Sequence, residues 1–355
     1  MLICKFKTVE DKKAIVKNRS FSENGATEML PLETKKMRVE TMDGRYIINY
    51  NKGFEEKFNF VEDFAEIQLL NRAGFYCKSM ANNKENKQKE VLNPFTKAEI
   101  ITYGLMLDKS ISYLVIRNKM IVGILSDRYI PVDPVYIVDI TENWLKGKFP
   151  ESEFVQGFVD DQITSLEYSI NDKMTEMSFI SKLVNTNIDI SEGDIRFRIS
   201  FSENGFSSIR LDLIIRGIDE EGNVTFVHTL PNSLVMSHKG DASPEKLKKE
   251  MENFNVLEAT NKLFNRIEEL GKMPINDIGR TILNVYENEK KLNLPKKETE
   301  SKASILKGKS GAGIDVYLAL SEIVETQKTS SIVSLLDIED KKNKVSKINY
   351  VKYDY

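Results

Sequence analysis

Four arginines in the middle of the chain have the type and spacing that could bind phosphate. They are Arg196, Arg198, Arg210 and Arg216. The segments that carry them, residues 194–200 and 210–216, alternate apolar and polar side chains apart from Ile214, which is typical of half-buried strands. A guanidinium group held on a rigid strand matches phosphate oxygens in a fixed fork. The pattern predicts a nucleic-acid-binding face, and the alternative is that these are ordinary charges on the wet side of a sheet.

The residues between the two segments predict how they pair. Glu203-Asn204-Gly205 is a turn signal, so the segments should form a hairpin. A loop with an odd number of residues puts apolar pairs on one face, namely Ile195 with Ile215, Phe197 with Leu213 and Ile199 with Leu211. The other face then pairs Arg198 with Asp212 and Asp194 with Arg216. Arg196 and Arg210 are expected to face solvent without acidic partners.

Other residues that could do chemistry are few. His238, followed by Asp241, could do acid–base work, or it could be a turn residue before a helix. Asp160-Asp161 could bind a hard cation, or they could be solvated acids in a turn. Gly308-Lys309-Ser310 has the form of a phosphate-loop end, but Ala303 stands where that motif needs glycine. We therefore predict no catalytic residue, metal or cofactor, and favour a protein that is not an enzyme.

The composition excludes several classes of protein. A chain of 355 residues that is 41% hydrophobic is too apolar to be disordered throughout. Its net charge of -3 means that affinity for nucleic acid must come from a local patch. Two cysteines and two histidines are too few for a disulfide scaffold or a thiolate zinc site. Because it has neither the apolar run of a secretion signal nor a stretch long enough to span a bilayer, we expect a cytoplasmic protein without a membrane partner.

The elements that would position these residues indicate an α+β fold. We expect a central antiparallel β-rich core with N-terminal helices and a C-terminal helical segment. The predicted divisions are strands and helices that pack on the core (1–110), the β-rich core (111–240), a helical region (241–327) and a flexible charged tail (328–355). Strand candidates in the core are 153–159, 165–170, 195–201, 209–215 and 224–229.

Three further segments bear on function. An apolar stripe from Pro244 to Leu270 predicts one continuous helix roughly 40 Å long, which could reach a partner chain. Residues 294–310 are rich in charge and predict a linker, and residues 81–90 predict a mobile surface loop. The hexapeptide Ser-Phe-Ser-Glu-Asn-Gly occurs at 20–25 and again at 200–205, but the flanking residues differ, so we interpret it as a reused turn.

Four short motifs occur in a characteristic order. They are Ser126-Asp127-Arg128-Tyr129, Ser202-Glu203-Asn204-Gly205, His238-Lys239-Gly240 and Asp315-Val316-Tyr317-Leu318-Ala319-Leu320-Ser321-Glu322. In these motifs the region from about residue 110 to 325 resembles the phage/plasmid-like proteins of an uncharacterised family, domain of unknown function 932. The resemblance implies a gene carried by a phage, prophage or plasmid and a protein that acts in the host cell. It implies no catalytic residues.

Three functions follow as hypotheses. The first is a non-enzymatic nucleic-acid-binding protein of a phage or plasmid that assists single-stranded DNA handling, recombination or replication. The alternative is an oligomerising protein-interaction module that binds itself or a host factor, in host takeover or anti-defence, through the long helix and the aromatic tail. A hydrolase or nuclease has the least support and would depend on Asp160 or His238.

Overall fold

The computed structural model describes residues 3–74, 77–79, 96–183, 191–240, 242–327 and 331–355. The architecture confirms the α+β class, with two six-stranded sheets and helices packed against both. Of the strand pairs that the structure describes, only one is parallel. The predicted loop at 81–90 lies outside the described residues.

The first sheet is built mainly from the N-terminal part of the chain. Its strand order is β2-β6-β7-β5-β4-β3, with bounds β2 Thr27–Glu33, β3 Arg38–Met42, β4 Arg45–Lys52, β5 Glu55–Val61, β6 Ile111–Arg117 and β7 Met120–Ser126. Helices α2 (Asp63–Arg72) and α3 (Lys97–Leu107) cover one face of it. The Thr96 side chain accepts from the Glu99 amide and the Glu99 carboxylate accepts from the Thr96 amide, so a capping box begins α3.

The second sheet contains the arginine hairpin. Its order is β1-β8-β9-β10-β11-β12, with bounds β1 Cys4–Phe6, β8 Glu153–Val159, β9 Thr164–Ser169, β10 Glu192–Phe201, β11 Ile209–Ile218 and β12 Val224–Met236. Besides α2 and α3, the helices that precede β12 in the chain are α1 (Val9–Arg19), α4 (Pro134–Lys148) and α5 (Lys173–Leu183). Trp144 of α4 packs edge-on against Phe197, with 5.3 Å between the ring centroids. All five strand candidates of the core are strands in the structure.

The C-terminal part of the chain is helical, as the sequence predicts, but it is divided differently. The elements are α6 (Pro244–Asn253), α7 (Val256–Lys272), β13 (Pro274–Ile275), α8 (Ile278–Asn288), α9 (Lys296–Leu306), β14 (Gly311–Ala312), α10 (Gly313–Glu325) and α11 (Ile332–Ser346). The single long helix is wrong, because Asn255 accepts from the Glu258 amide and starts a new helix there. The linker is also wrong in part, because α9 buries Thr299 and Ala303.

Most of the segment expected to be a flexible tail, residues 331–355, is helical and packs on the rest of the chain. Ser331 caps α11, and Ile332, Leu336 and Val345 are buried along it. A turn of 3-10 helix at Tyr350–Tyr353 follows and buries Tyr350 completely. The expected flexible tail therefore differs from the structure, because Ile332 and Leu336 pack against Ile163 while Val345, on the opposite side of the helix, joins the main core.

The boundary expected at residue 110 cuts through the first sheet. Strands β2 to β5 come from residues 27–61, and β6 and β7 come from residues 111–126. The β-rich part of the chain therefore begins well before residue 111. Among the described residues, no helix combines the length and the apolar composition needed to cross a bilayer.

Candidate functional site

The hairpin between β10 and β11 has the predicted register. Ile195 lies opposite Ile215, Phe197 opposite Leu213, Ile199 opposite Leu211, Arg198 opposite Asp212 and Asp194 opposite Arg216. The apolar residues are fully buried in the core. The four arginines therefore share the opposite face of the second sheet, as expected.

The arginines on that face are paired with carboxylates. Arg196 contacts Asp194 at 2.6 Å, and a second carboxylate, that of Glu167 on β9, lies at 3.4 Å. Arg210 contacts Asp212 at 3.1 Å. Neither side chain is open to solvent, since each is only 11% exposed. The expectation that Arg196 and Arg210 lack acidic partners is therefore wrong.

Helix α11 covers the face that the sequence assigned to solvent. Glu339 of α11 binds Arg198 with both carboxylate oxygens, and Asp340 lies 3.7 Å from Arg210. Arg198 is 1% exposed. Burial by itself would lower the pKa of Arg198, but the carboxylates of Glu339 and Asp212 outweigh burial and raise it, so the guanidinium stays charged.

The carboxylates that contact the arginines on this face outnumber them. Arg216, the most exposed of the four arginines, is paired with Asp194 at 2.9 Å. Five carboxylates contact the four arginines, namely Glu167, Asp194, Asp212, Glu339 and Asp340. Without the two carboxylates of α11, four cations would still face three anions. The structure therefore leaves no concentrated positive patch at these arginines. Strong binding to the phosphates of a nucleic acid needs such a patch.

His238 is held as a structural residue. Its ring stacks on Tyr129 with 4.7 Å between centroids, and its Nδ1 lies 3.3 Å from the Ile130 carbonyl oxygen. Burial lowers the pKa of His238, so the imidazole is neutral near pH 7. Asp241, its expected acidic neighbour, lies outside the described residues. The contacts favour the turn interpretation over acid–base work.

The other candidate motifs also have structural roles. Asp160 is buried and accepts backbone N–H groups from Gln162, Ile163 and Ile332. In the described part of the chain, no group of three or more His, Cys, Asp or Glu side chains could hold a metal ion. Residues 308–310 connect α9 to β14, and the Lys309 carbonyl oxygen accepts the Ile278 amide.

Glu203 ties the two sheets together. It is fully buried, and its carboxylate binds Arg19 of α1 at 3.0 Å and Arg117 of β6 through the other oxygen. Next to it, the Asn204 side-chain amide donates to the Val122 carbonyl oxygen at 3.0 Å. In the first copy of the hexapeptide, Glu23 is exposed, so the two copies place the same residues in different surroundings.

A groove of about 790 Å³ lies between β3 and the outer side of α3. Three buried apolar residues, Val39, Cys77 and Ile100, line it. Three exposed residues of α3 also line it, namely Tyr103 (63% exposed), Met106 (52%) and Leu107 (64%). These three are spaced i, i+3 and i+4, so they form one continuous strip on the helix surface.

Helix α3 is apolar on both of its sides. Its inner side, which packs on the first sheet, buries Ala98, Ile100, Ile101, Gly104 and Leu105. A helix that is apolar all round is normally buried all round. The outer strip of α3 is open instead, which makes the groove the candidate functional site.

The sequence of α3 contains a signal for this groove. Along the helix at residues 97–107, the apolar residues exceed what one buried face can hold. Testing both faces of that helix would have identified the excess. The position of β3 beside α3 could not be predicted, since it depends on the pairing of the whole sheet.

Searches against protein-family models, curated proteins and solved structures found no match to this chain. The resemblance to the phage/plasmid-like family therefore stays a prediction. Function has to be inferred from the described residues themselves.

Proposed function

We propose that this chain is a protein-interaction module that binds another protein in the groove between β3 and α3. The observation that carries the proposal is the open apolar strip of Tyr103, Met106 and Leu107 on a helix that is apolar on both sides. Burial of each of these half-exposed side chains by a partner would contribute roughly 1 kcal/mol to the free energy of binding. The gain from burying this apolar surface favours binding of a partner in the groove.

The lining of the groove suits a protein better than a nucleic acid. Tyrosine and methionine are enriched in the cores of protein–protein interfaces, while charged residues are depleted there. The charged residues lie at the rim instead, where Arg38, Glu40 and Glu99 are placed. A nucleic-acid site would need a run of cations to neutralise phosphates.

Nucleic-acid binding through the four hairpin arginines stays a prediction with less support. Each arginine is paired with a carboxylate, and α11 packs over Arg198. The long helix and the tail, which the sequence suggested as contact surfaces for protein binding, are replaced in this role by α3. The phage or plasmid setting implied by the resemblance is compatible with a partner that is either a host protein or a second copy of the chain.

Site-specific photo-crosslinking in expressing cells tests the proposal. A photoreactive amino acid replaces Tyr103 in one variant and Phe58, which is 66% exposed on β5 of the same sheet, in the control. We expect adducts with another polypeptide chain at position 103 and far fewer at position 58. Adducts at position 103 that form only within the same chain, including adducts to residues 80–95, would contradict the proposal, as would no adduct at all.

A further inference from the structure

We infer that the occupant of the groove is a second copy of this chain, related to the first by a two-fold axis. This inference rests on the proposed function and names its partner. It is supported by the charges at the rim, the exposed strip on α3 and the hydrogen bonds at the neighbouring strand edge.

The rim of the groove carries charges that can pair with their own copy. Arg38 and Glu40 are both exposed and lie on the same side of β3, two residues apart. Within the described ranges, neither makes an ion pair, and the Glu40 carboxylate accepts only a hydrogen bond from the Asn49 side chain. A two-fold axis brings the same patch of each copy together, so each Arg38 can meet the Glu40 of the other copy. If the charges at the rim all had the same sign, the rims of two copies would repel each other.

The exposed strip on α3 is suited to pack against the same strip of another α3. The helix has 11 residues, so it is about 16 Å long. Side chains at i, i+3 and i+4, as in Tyr103, Met106 and Leu107, form the ridges that interdigitate when two helices cross. Because a two-fold contact uses the same surface twice, all six side chains would be covered at once.

At Val39, the neighbouring edge strand is blocked against the main alternative, in which a partner adds a strand to the sheet. The Thr102 hydroxyl lies 2.8 Å from the Val39 amide nitrogen, whose hydrogen bond it accepts, and 3.3 Å from the Val39 carbonyl oxygen, to which it donates. These backbone groups would otherwise be available to a partner strand. At this point, the surface therefore favours a contact with side chains of a partner helix.

The test is a pair of charge reversals, Arg38→Glu and Glu40→Arg, studied by sedimentation equilibrium of the purified full-length chain. Wild type should dimerise, and each variant alone should dissociate with a Kd at least about tenfold higher, because like charges then face each other across the axis. An equal mixture of the two variants should recover the wild-type affinity, because every pair in that heterodimer has opposite signs. Circular dichroism and the urea midpoint confirm that both variants remain folded.

Two results would overturn the inference. One is a wild type that is monomeric at every concentration, and the other is a mixture of variants that associates no better than either variant alone. If crosslinking at position 103 then captures a polypeptide of another mass, the proposed function stands and only the identity of the partner is wrong. If crosslinking captures no other chain, the proposed function fails as well.

Discussion

Glu203 shows how a single buried side chain can connect distant parts of this chain. Arg19 and Arg117, which it binds, come from α1 and from the first sheet, while Glu203 itself follows β10 of the second sheet. The main-chain carbonyl oxygens of Asp160 and Asp161 accept further hydrogen bonds from the same two guanidinium groups. Both cations are thereby satisfied away from water, and removal of the shared carboxylate would leave them with too little counter-charge.

The first prediction concerns this carboxylate. Glu203→Gln should lower the free energy of unfolding by about 3–5 kcal/mol, because two buried guanidinium groups lose their common anion. Urea denaturation measures the change. The matched control is Glu28→Gln, whose ion pair with Lys52 is exposed to solvent and should be worth less than about 1 kcal/mol. Equal losses for both variants would contradict the structural role given to Glu203.

At the scale of the elements, the packing of α3 on α2 depends on a residue without a side chain. A Cβ atom at Gly104 would lie 2.2 Å from the Ala73 carbonyl oxygen at the end of α2. That approach fixes how close α3 sits and therefore which of its residues face outward. Gly147, in the last turn of α4, has no atom within 4 Å of the same position.

The second prediction uses these two helical glycines. Gly147→Ala should leave stability unchanged or raise it by up to about 1 kcal/mol, because alanine is the better helix former. Gly104→Ala should instead lower the melting temperature, because the backbone of α2 has to move. It should also weaken any partner binding at the groove. If both substitutions raise the melting temperature by similar amounts, the close contact between Gly104 and Ala73 does not limit the packing of α3 on α2.

Local patterns predicted some elements fully and others not at all. The register of the β10–β11 hairpin follows from alternation and one turn, since both strands are near in sequence. The acidic partners of the hairpin arginines do not follow from local patterns, because Glu339, which contacts Arg198, lies 141 residues away in the sequence. The break between α6 and α7 was missed because the apolar stripe continues across it, although Asn255 is a good N-cap residue.

For the molecule as a whole, the sequence predicted the fold class and much of the second sheet, but not the strand pairing of the first sheet or the groove. The first sheet joins residues 27–61 to residues 111–126, and this long-range pairing has no local signal. The groove exists only because that pairing places β3 beside α3. The composition of the C-terminal residues predicts a flexible tail when it is considered alone. Their apolar residues have a place to pack once both sheets are formed.

The most direct test of the account is the mass of the purified protein in solution when the apolar strip is changed. Multi-angle light scattering over a range of concentrations should show wild type and Phe58→Lys rising from 40.7 kDa towards twice that mass. Tyr103→Lys should stay at 40.7 kDa, because a charge within the strip opposes its burial. If all three proteins show the same mass at every concentration, the β3–α3 groove is not where this chain meets its copy.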